Sequence, residues 1–335
     1  MNTKAQDQSK KIIVYHHNDH DGIVAAGVLY NYMIDKWGFG YEDFQFNMID
    51  YDQELNFDNI DFKRHRVYFL DYSFSNNNNF EQFKLLIKRR TDFSDVYWFD
   101  HHVTSLDLIE KIKKTFPGIV IPGLRYSDLC ASALVYLYYY KEYTSRIISQ
   151  KSEFMSISDI FHNDDTIPPA LKYIDDYDCW KHIYPETNDF HYGLTVSNPK
   201  DRIISELLDY DTVYKIDNQI VIYRINTAGK AVQKYLDFEN KEYHVNMYGF
   251  EYTLPEEAGG FRCFCMNRKG NSLMFGDKIK EYDAVIPFYY INGKWKYSIF
   301  TEKDNVDCEE VAKYYGGGGH KKAAGWVIDD LIFNE

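Results

Sequence analysis

The first half of the chain alternates short apolar runs with amphipathic stretches. The apolar runs are nearly continuous, which is typical of strands buried on both faces, and the stretches between them carry apolar residues at helical spacing. This alternation predicts an α/β fold in which helices cover both faces of a parallel sheet. We predict strands over 11–16, 44–50, 66–73, 95–102 and 118–123, and helices over 22–37, 79–90, 105–116 and 128–143.

The second half of the chain has a different pattern. A helical region covers 171–182, and a second, mostly helical region runs from about 204 to 241. Three strand-like runs follow, and Asn292 and Gly293 mark a tight hairpin between the last two. The strand-like runs cover 260–267, 283–291 and 294–301, and a helix over 306–315 follows with a capping box at Asp307 and Glu310.

The pattern divides the chain into three parts. We expect an N-terminal α/β domain over 1–200, a helical linker over 201–241 and a smaller C-terminal α/β domain with a mixed sheet over 242–335. A chain of 335 residues is long enough for two domains that each bury a core.

Composition and charge narrow the classes of protein. The net charge of −13 argues against broad nucleic-acid binding, although it leaves room for a small anionic substrate at a local site. No stretch approaches the roughly 18 uninterrupted apolar residues of a membrane helix, and the first residues are polar, so we expect a cytoplasmic protein with no membrane partner. Five scattered cysteines do not suggest a disulfide framework.

Acids and imidazoles collect where three of the predicted strands end. A cluster of His17, Asp19 and Asp21 follows the first strand, and Asp71 ends the strand "RVYFLD". The carboxyl ends of parallel strands meet at one edge of the sheet, where ligands bind in this architecture. We therefore expect these groups to lie together with the segment "DHH", which comprises Asp100, His101 and His102.

Mixed histidine and aspartate ligands suit Mn²⁺, Fe²⁺, Co²⁺ or Zn²⁺ better than Ca²⁺. In an extended segment, His17, Asp19 and Asp21 point to one side, because alternate residues share a face. A single carboxylate such as Asp71 can bridge two cations about 3.5 to 4 Å apart, the separation used in two-metal hydrolysis. Asp100 is a candidate for orienting an imidazole.

Other polar residues near these strands have simpler interpretations. We expect His20 to face solvent and His16 to be structural. His102 has two interpretations, contact with a phosphate group or packing alone. In "YIDDYDCW", we take Asp176 as the last metal ligand, with Asp175 and Asp178 as the alternatives or as helix-surface charges.

Four segments in this order resemble the DHH phosphoesterase superfamily, in the branch that carries the DHH-associated C-terminal domain. They are "HNDHDG", the isolated aspartate in "FLDYS", "DHH" itself and "GGGGHKKAAG", and they extend over most of the chain. The segments "YDCW" and "GWVI" are most similar to bacterial nano-RNases, with RecJ-like exonucleases as more distant relatives.

This resemblance implies two Mn²⁺ ions per chain, with Mg²⁺ or Co²⁺ as substitutes. His17, Asp19 and Asp71 would hold one ion, and His102 would lie near the phosphate. The reaction would depend on Asp71, Asp100, His101 and His102, and the second ion would be held by Asp21, Asp71, His101 and Asp176.

The resemblance also implies that the C-terminal domain grips the terminal nucleotide of the substrate. Glycines without side chains let backbone amides approach a phosphate, and a histidine can add a hydrogen bond. The matching positions are Gly317, Gly318, Gly319 and His320. Many relatives have an arginine where this chain has Phe300, and the candidate replacement cations are Arg268, Lys303, Lys321 and Arg125.

The leading hypothesis from the sequence is a Mn²⁺-dependent phosphodiesterase that degrades short oligoribonucleotides and linear dinucleotides to mononucleotides. Alternatives with the same chemistry are a phosphoadenosine phosphate phosphatase, a cyclic-dinucleotide phosphodiesterase and a pyrophosphatase. An alternative of another class is a nucleotide-binding or scaffold protein without activity. The sequence leaves open whether the chain forms a homodimer.

Overall fold

A computed structural model of the chain describes residues 10–143, 156–197, 215–245 and 249–333. The chain divides into two compact units, Met1–Gly229 and Lys230–Glu335. Within the described ranges, no helix is both long enough and apolar enough to cross a bilayer.

The N-terminal unit contains a four-stranded sheet in which every pair of neighbours is parallel. The strand order is β2-β1-β3-β4, so β1 and β3 occupy the centre. This arrangement confirms the parallel sheet predicted from the apolar runs. The strands are β1 Lys11–His17, β2 Phe44–Ile49, β3 His65–Leu70 and β4 Val96–Phe99.

Helices pack on both faces of this sheet, as the alternation predicted. Ile12 and Val14 of β1 belong to one buried cluster, whereas Ile13 belongs to the cluster on the opposite face. The helices are α1 His20–Tyr32, α2 Asn77–Arg89, α3 Val103–Thr115, α4 Ala131–Tyr140, α5 Ile157–Asn163, α6 Pro169–Asp178 and α7 Thr187–Ser197.

The strand predicted over 118–123 is wrong. Backbone amides of Trp98 and Asp100 donate to the carbonyls of Pro122 and Leu124, so this segment does run beside β4. Pro122 has no N–H to return to the ladder, and Gly123 has a φ of +108°, which lies outside the strand region. This segment therefore forms no strand beside β4, and the pairing there is the isolated bridge between Asp100 and Arg125.

The C-terminal unit contains a six-stranded mixed sheet with the order β5-β6-β7-β8-β10-β9. The pair β6 and β7 is parallel, and the other neighbours are antiparallel. This confirms the predicted mixed sheet. The strands are β5 Gly249–Thr253, β6 Arg262–Asn267, β7 Ala284–Ile291, β8 Lys294–Phe300, β9 Gly318–His320 and β10 Ala323–Ile328.

Three helices accompany this part of the chain. The long helix α8 Lys215–Val245 includes the boundary between the two units. Residues 204–214 of the predicted helical region lie outside the described part of the chain. The other two are α9 Lys278–Glu281 and α10 Cys308–Tyr314, and the Asp307 carboxylate caps α10 by accepting the amides of Glu309 and Glu310.

The hairpin between β7 and β8 depends on left-handed backbone. Asn292 and Gly293 have φ angles of +51° and +81° between β7 and β8, so the predicted hairpin is confirmed. The glycine-rich segment forms β9, an edge strand that pairs with β10 in the register Gly318 to Gly325 and His320 to Ala323.

Candidate metal centre

The turn between β1 and α1 places His17 and Asp19 side by side. Asp19 caps α1, because its Oδ1 accepts the amide of Gly22 at 2.9 Å. Its Oδ2 lies 2.7 Å from Nδ1 of His17. A Cβ at Gly22 would lie 2.4 Å from the carbonyl oxygen of His17, so glycine is required for this close turn. The local sequence thus explains why two polar side chains meet at the end of β1.

Asp71 lies at the centre of the cluster. It follows β3 with a φ of +56°, and its side chain is 1% exposed. Its Oδ2 lies 3.5 Å from Nδ1 of His17, and its Oδ1 lies 3.3 Å from Nε2 of His101. One carboxylate therefore faces imidazoles from two different strands.

Hydrogen bonds within the "DHH" segment fix its conformation at the end of β4. Oδ1 of Asp100 accepts the backbone amide of His101 at 2.9 Å and lies 2.8 Å from Nδ1 of His102. Because a carboxylate accepts, Nδ1 of His102 is the donor of this bond. Asp100 therefore fixes the orientation of the His102 ring.

Asp21 is buried against the first turn of α4. Its two oxygens accept the amides of Ala131 and Ser132 at 2.6 and 2.8 Å. These amides carry the positive end of the helix dipole, which stabilises a carboxylate. The ligand atoms of Asp21, Asp71 and His101 lie within 4.8 Å of one another.

The structure does not bring Asp176 into this cluster and so corrects its choice as the last ligand. Its carboxylate accepts the amides of Ile183 and Tyr184 at 2.7 and 3.1 Å and the hydroxyl of Thr187. Asp176 therefore holds the loop that follows α6. Asp178, one of the two alternatives, lies at the cluster, since its Oδ2 is 3.1 Å from Nε2 of His101.

Asp175 is fully buried, so the interpretation as a helix-surface charge is wrong for this residue. It accepts the amide of Cys130 and lies 2.7 Å from His162 Nε2 and 2.5 Å from Lys181 Nζ. Burial alone would raise the pKa of Asp175, but the hydrogen bond from His162 and the Lys181 charge outweigh burial and lower this pKa. Asp175 thus connects α4, α5 and α6 beneath the cluster.

The donor set fits a divalent cation. Both oxygens of Asp71, Oδ2 of Asp100 and Oδ2 of Asp178 are buried and have no hydrogen-bond partner among the described residues. Burial, with the nearby charges of Asp19 and Asp21, raises the pKa of Asp71 well above its usual range. Burial also raises the pKa of Asp178. Buried carboxylate oxygens without donors are costly unless a cation neutralises them.

Two compact groups of ligands share Asp71. One comprises His17, Asp19 and Asp71, and the other comprises Asp21, Asp71 and His101, beside Asp178. Burial would lower the pKa of His17, but hydrogen bonds with Asp19, Asp50 and Asp71 outweigh burial and raise this pKa. The cluster is therefore rich in carboxylates, and Asp71 belongs to both groups of candidate ligands.

The sequence prediction missed two residues at the end of β2. Oδ1 of Asp50 lies 3.7 Å from Nε2 of His17, and the ring of Tyr51 lies 5.1 Å from the His17 ring. Asp50 follows the last apolar position of its strand, as Asp71 does, so the same rule would have found it. Tyr51 has no comparable signal, because aromatic residues are frequent throughout this chain.

His16, His20 and Arg125 lie outside the cluster of candidate ligands. His16 is largely buried, with its Nδ1 near the carbonyl of His17, as expected for a structural residue. His20 is only partly exposed, because its Nδ1 is buried and its ring lies 4.8 Å from the His191 ring. Arg125 is not available as a substrate cation, since its guanidinium donates to the carbonyls of Trp98, Ile121 and Gly123.

The residues expected to bind substrate lie in the C-terminal unit. Gly318, Gly319 and His320 form β9, with Gly317 directly before it and Lys321 directly after it. Arg268 pairs with Glu239 at 3.6 Å, and Lys303 Nζ donates to the carbonyl of Lys280.

No protein-family model matches the chain. Over 180 residues, or 51% of the chain, it is 21% identical to the uncharacterized protein R106 of Acanthamoeba polyphaga mimivirus. Over 147 residues, or 44% of the chain, it is 24% identical to the oligoribonuclease NrnB of Bacillus subtilis strain 168. The chain spans only 39% and 34% of the lengths of these two relatives.

Solved structures share the fold. The chain matches the DHH domain of PF0399, a member of a family of ribosomal proteins, with a TM-score of 0.55, 16% identity and coverage of 96% of this chain and 83% of the other. It matches RecJ of Thermus thermophilus in complex with Mn²⁺ with a TM-score of 0.50, 13% identity and coverage of 98% and 51%. In sequence the chain is distantly similar to the oligoribonuclease NrnB, and its fold is similar to that of the DHH domain of PF0399 and of RecJ.

Proposed function

We propose that this protein is a two-metal phosphodiesterase that degrades short oligoribonucleotides and linear dinucleotides to mononucleotides. The observation that carries this proposal is the buried Asp71 carboxylate, which faces His17 and His101 and has no hydrogen-bond partner in the described ranges. The oligoribonuclease NrnB among the relatives supports the substrate class, and the Mn²⁺ in the RecJ structure supports the metal.

The residues that would hold the cations follow from the geometry. His17, Asp19 and Asp71 would hold one, and the second would be held by Asp21, Asp71, His101 and Asp178. Mn²⁺ is our first choice, with Mg²⁺ or Co²⁺ as substitutes. Such a pair would supply hydroxide near neutral pH and would neutralise charge that develops on the phosphoryl group.

The chain's own residues prepare the site for a phosphodiester. Asp100 fixes the orientation of the His102 ring through Nδ1, and we propose that this imidazole contacts the phosphate. The amides at the start of α4 keep the Asp21 carboxylate oriented. Asp71 is fixed by its burial and by its backbone amide, which donates to the carbonyl of Phe99 at 2.9 Å. These restraints favour a site that is organised before substrate binds.

The net charge of the chain supports a short substrate. Long nucleic acids need many cationic contacts with phosphates, and a chain with a net charge of −13 and Phe300 in place of an arginine offers few. We propose that Gly317, Gly318, Gly319 and His320 bind the terminal nucleotide, with Arg268 and Lys321 as candidate cations. Short substrates fit this arrangement best.

The direct test is hydrolysis of labelled di- to pentanucleotides in the presence of Mn²⁺, with labels at either end. We expect mononucleotide products from the wild type and a loss of at least 100-fold in Asp71→Ala. Asp107→Ala, which removes an exposed carboxylate from α3, is the matched control and should cleave normally. If no oligonucleotide is cleaved, or if Asp71→Ala is as active as the wild type, the proposal is wrong.

The same assay separates the alternatives. Turnover of phosphoadenosine phosphate, a cyclic dinucleotide and pyrophosphate is compared with turnover of a linear dinucleotide under identical conditions. Faster turnover of any of the first three would change the assigned substrate and leave the two-metal centre in place. A protein that binds nucleotides and cleaves none of the four would belong to the non-catalytic class.

A further inference from the structure

The ring of Tyr51 lies beside two imidazoles of the candidate metal centre, although none of the four sequence motifs includes this residue. It follows β2, an edge strand of the N-terminal sheet, and its backbone amide donates to Asp50 Oδ1 at 2.8 Å. Its ring centroid lies 5.1 Å from that of His17 and 6.0 Å from that of His102. These two imidazoles come from β1 and from the end of β4. Tyr51 therefore contacts both the proposed metal-binding side and the proposed phosphate-binding side of the site.

The hydroxyl of Tyr51 is fixed beside Asp71. Its oxygen accepts the backbone amide of Ser73 at 3.2 Å, two residues after Asp71. A phenol has one proton to donate as well as lone pairs to accept. Among the residues that the structure describes, no acceptor lies within hydrogen-bond distance for that proton. The donor is thus held in place beside the carboxylate cluster.

The ring is held separately from the hydroxyl. Tyr72 stacks on Tyr51 with centroids 4.9 Å apart and an interplanar angle of 14°. The Tyr72 hydroxyl accepts Nδ2 of Asn79, which also donates to the carbonyl of Gln53. The stacking of the ring and the hydrogen bond that the hydroxyl oxygen accepts would be sufficient for a purely structural role of Tyr51. Neither of these contacts uses the O–H of Tyr51 as a donor, so this group can bind a ligand.

We propose that Tyr51 is a substrate-contacting residue, whose hydroxyl donates a hydrogen bond to a nonbridging oxygen of the scissile phosphate. A phosphodiester only accepts hydrogen bonds, and the carboxylates of Asp19, Asp71 and Asp100 around it offer no donor. Tyr51 supplies a neutral donor there and acts together with His102. This inference rests on the proposed phosphodiesterase function.

The test uses Tyr51→Phe, which keeps the ring and removes only the hydroxyl. The full-length protein is loaded with Mn²⁺, and binding of AMP is measured by calorimetry, followed by kcat and KM on a linear dinucleotide. Because hydrogen bonds to charged groups contribute about 1.5 to 3 kcal/mol, we expect AMP binding and kcat/KM to fall roughly 10- to 100-fold. Affinity and stoichiometry for Mn²⁺ alone should be unchanged.

Tyr72→Phe is the matched control, because it removes a phenol hydroxyl from the adjacent ring that contacts Asn79 instead of the site. This variant should bind AMP and turn over substrate like the wild type. Equal losses in both variants, or no loss in Tyr51→Phe, would overturn the inference. If the wild type binds AMP but cleaves no phosphodiester, the proposed function fails, and the AMP affinities of the two variants still decide the role of Tyr51.

Discussion

Oδ2 of Asp178 lies 3.1 Å from Nε2 of His101, so the last residue of α6 reaches the end of β4. The neighbouring Asp176 has a different role, because its oxygens bind the backbone of Ile183 and Tyr184. Asp175, Asp176 and Asp178 lie within four residues of the same helix. Of these three acids, Asp178 is the one that contacts the imidazole of His101. The difference between Asp178 and Asp176 can be measured.

Asp178→Asn should impair metal binding, whereas Asp176→Asn should impair folding. Loss of Asp178 removes a proposed ligand, so we expect one Mn²⁺ fewer per chain by calorimetry and at least a 100-fold fall in turnover. Loss of Asp176 weakens three hydrogen bonds to a charged group, and we expect about 2 kcal/mol or more of lost stability in urea unfolding. The opposite pattern, with metal lost in Asp176→Asn, would restore Asp176 as the ligand.

The sequence could not have separated these three acids by pattern alone. Asp175 and Asp178 are three residues apart and share a helix face, but which face turns toward the sheet depends on the packing of α6 against α4 and α7. The loop bonds of Asp176 depend on the left-handed backbone of Trp180 and His182, with φ angles of +54° and +51°. Neither residue type signals such a conformation.

The strand ends, by contrast, were predictable. Parallel strands bring their carboxyl ends to one edge, and this rule was sufficient to predict from the sequence that His17, Asp71 and His101 lie together. The same rule applies to Asp50, which the prediction overlooked. The predicted strand over 118–123 failed for a local reason, because an apolar run that contains Pro122 and Gly123 has the pattern of a strand but cannot complete a ladder.

Mn²⁺ should stabilise the protein through Asp71. In the metal-free protein, burial and the charges of Asp19 and Asp21 raise the pKa of Asp71. A carboxyl whose pKa is raised by folding binds its proton more tightly in the folded state, so stability falls as pH rises above the ordinary value. At neutral pH the metal-free site therefore opposes folding, and a bound cation removes this cost.

Thermal unfolding at pH 7 tests this effect. At a Mn²⁺ concentration about 100 times its Kd, we expect about 2.7 kcal/mol of stabilisation, or roughly 5 °C in Tm. Asp71→Asn should have a metal-free Tm equal to or above that of the wild type and should lose the shift with Mn²⁺. Asp107→Asn, on the exposed face of α3, should keep the full shift. A full shift in Asp71→Asn would show that Mn²⁺ binds elsewhere.

Asp175 should make stability depend on acid pH. Its pKa is lowered from the ordinary value of 3.8 by His162 and Lys181, against the effect of burial. A carboxyl with a lowered pKa contributes its full stability above that ordinary value and loses it as pH falls through the lower, folded-state value. The pH-dependent part therefore lies below about pH 4.

Urea unfolding between pH 6 and pH 2.5 measures this contribution, with chelator present to exclude metal. Asp175→Asn leaves Lys181 and His162 without their carboxylate, so we expect a loss of about 3 kcal/mol at pH 6. The difference between wild type and variant should narrow steadily as the pH falls below 4. A difference that stays constant down to pH 2.5 would mean that the Asp175 charge contributes nothing to stability.

Alanine substitutions at Gly318 and Gly319 distinguish a binding role of the glycine segment from a structural role. A Cβ at Gly318 would meet nothing within 4 Å, and its φ is not in the left-handed range. At Gly319, by contrast, φ is +147°, and a Cβ would lie 2.5 Å from Cα of Ala324 in β10. Alanine at Gly319 therefore strains the pairing of β9 with β10, whereas alanine at Gly318 only covers the backbone where a phosphate would approach.

We therefore expect Gly318→Ala to leave Tm within about 1 °C of the wild type and to raise KM for a dinucleotide roughly tenfold or more, because the added methyl group keeps the phosphate from the backbone amides. Gly319→Ala should lower Tm by several degrees whether or not nucleotides bind there. Thermal unfolding and steady-state kinetics on the two variants decide the matter. An unchanged KM in a normally folded Gly318→Ala would mean that substrate does not approach this segment, and that the terminal nucleotide is held by other residues.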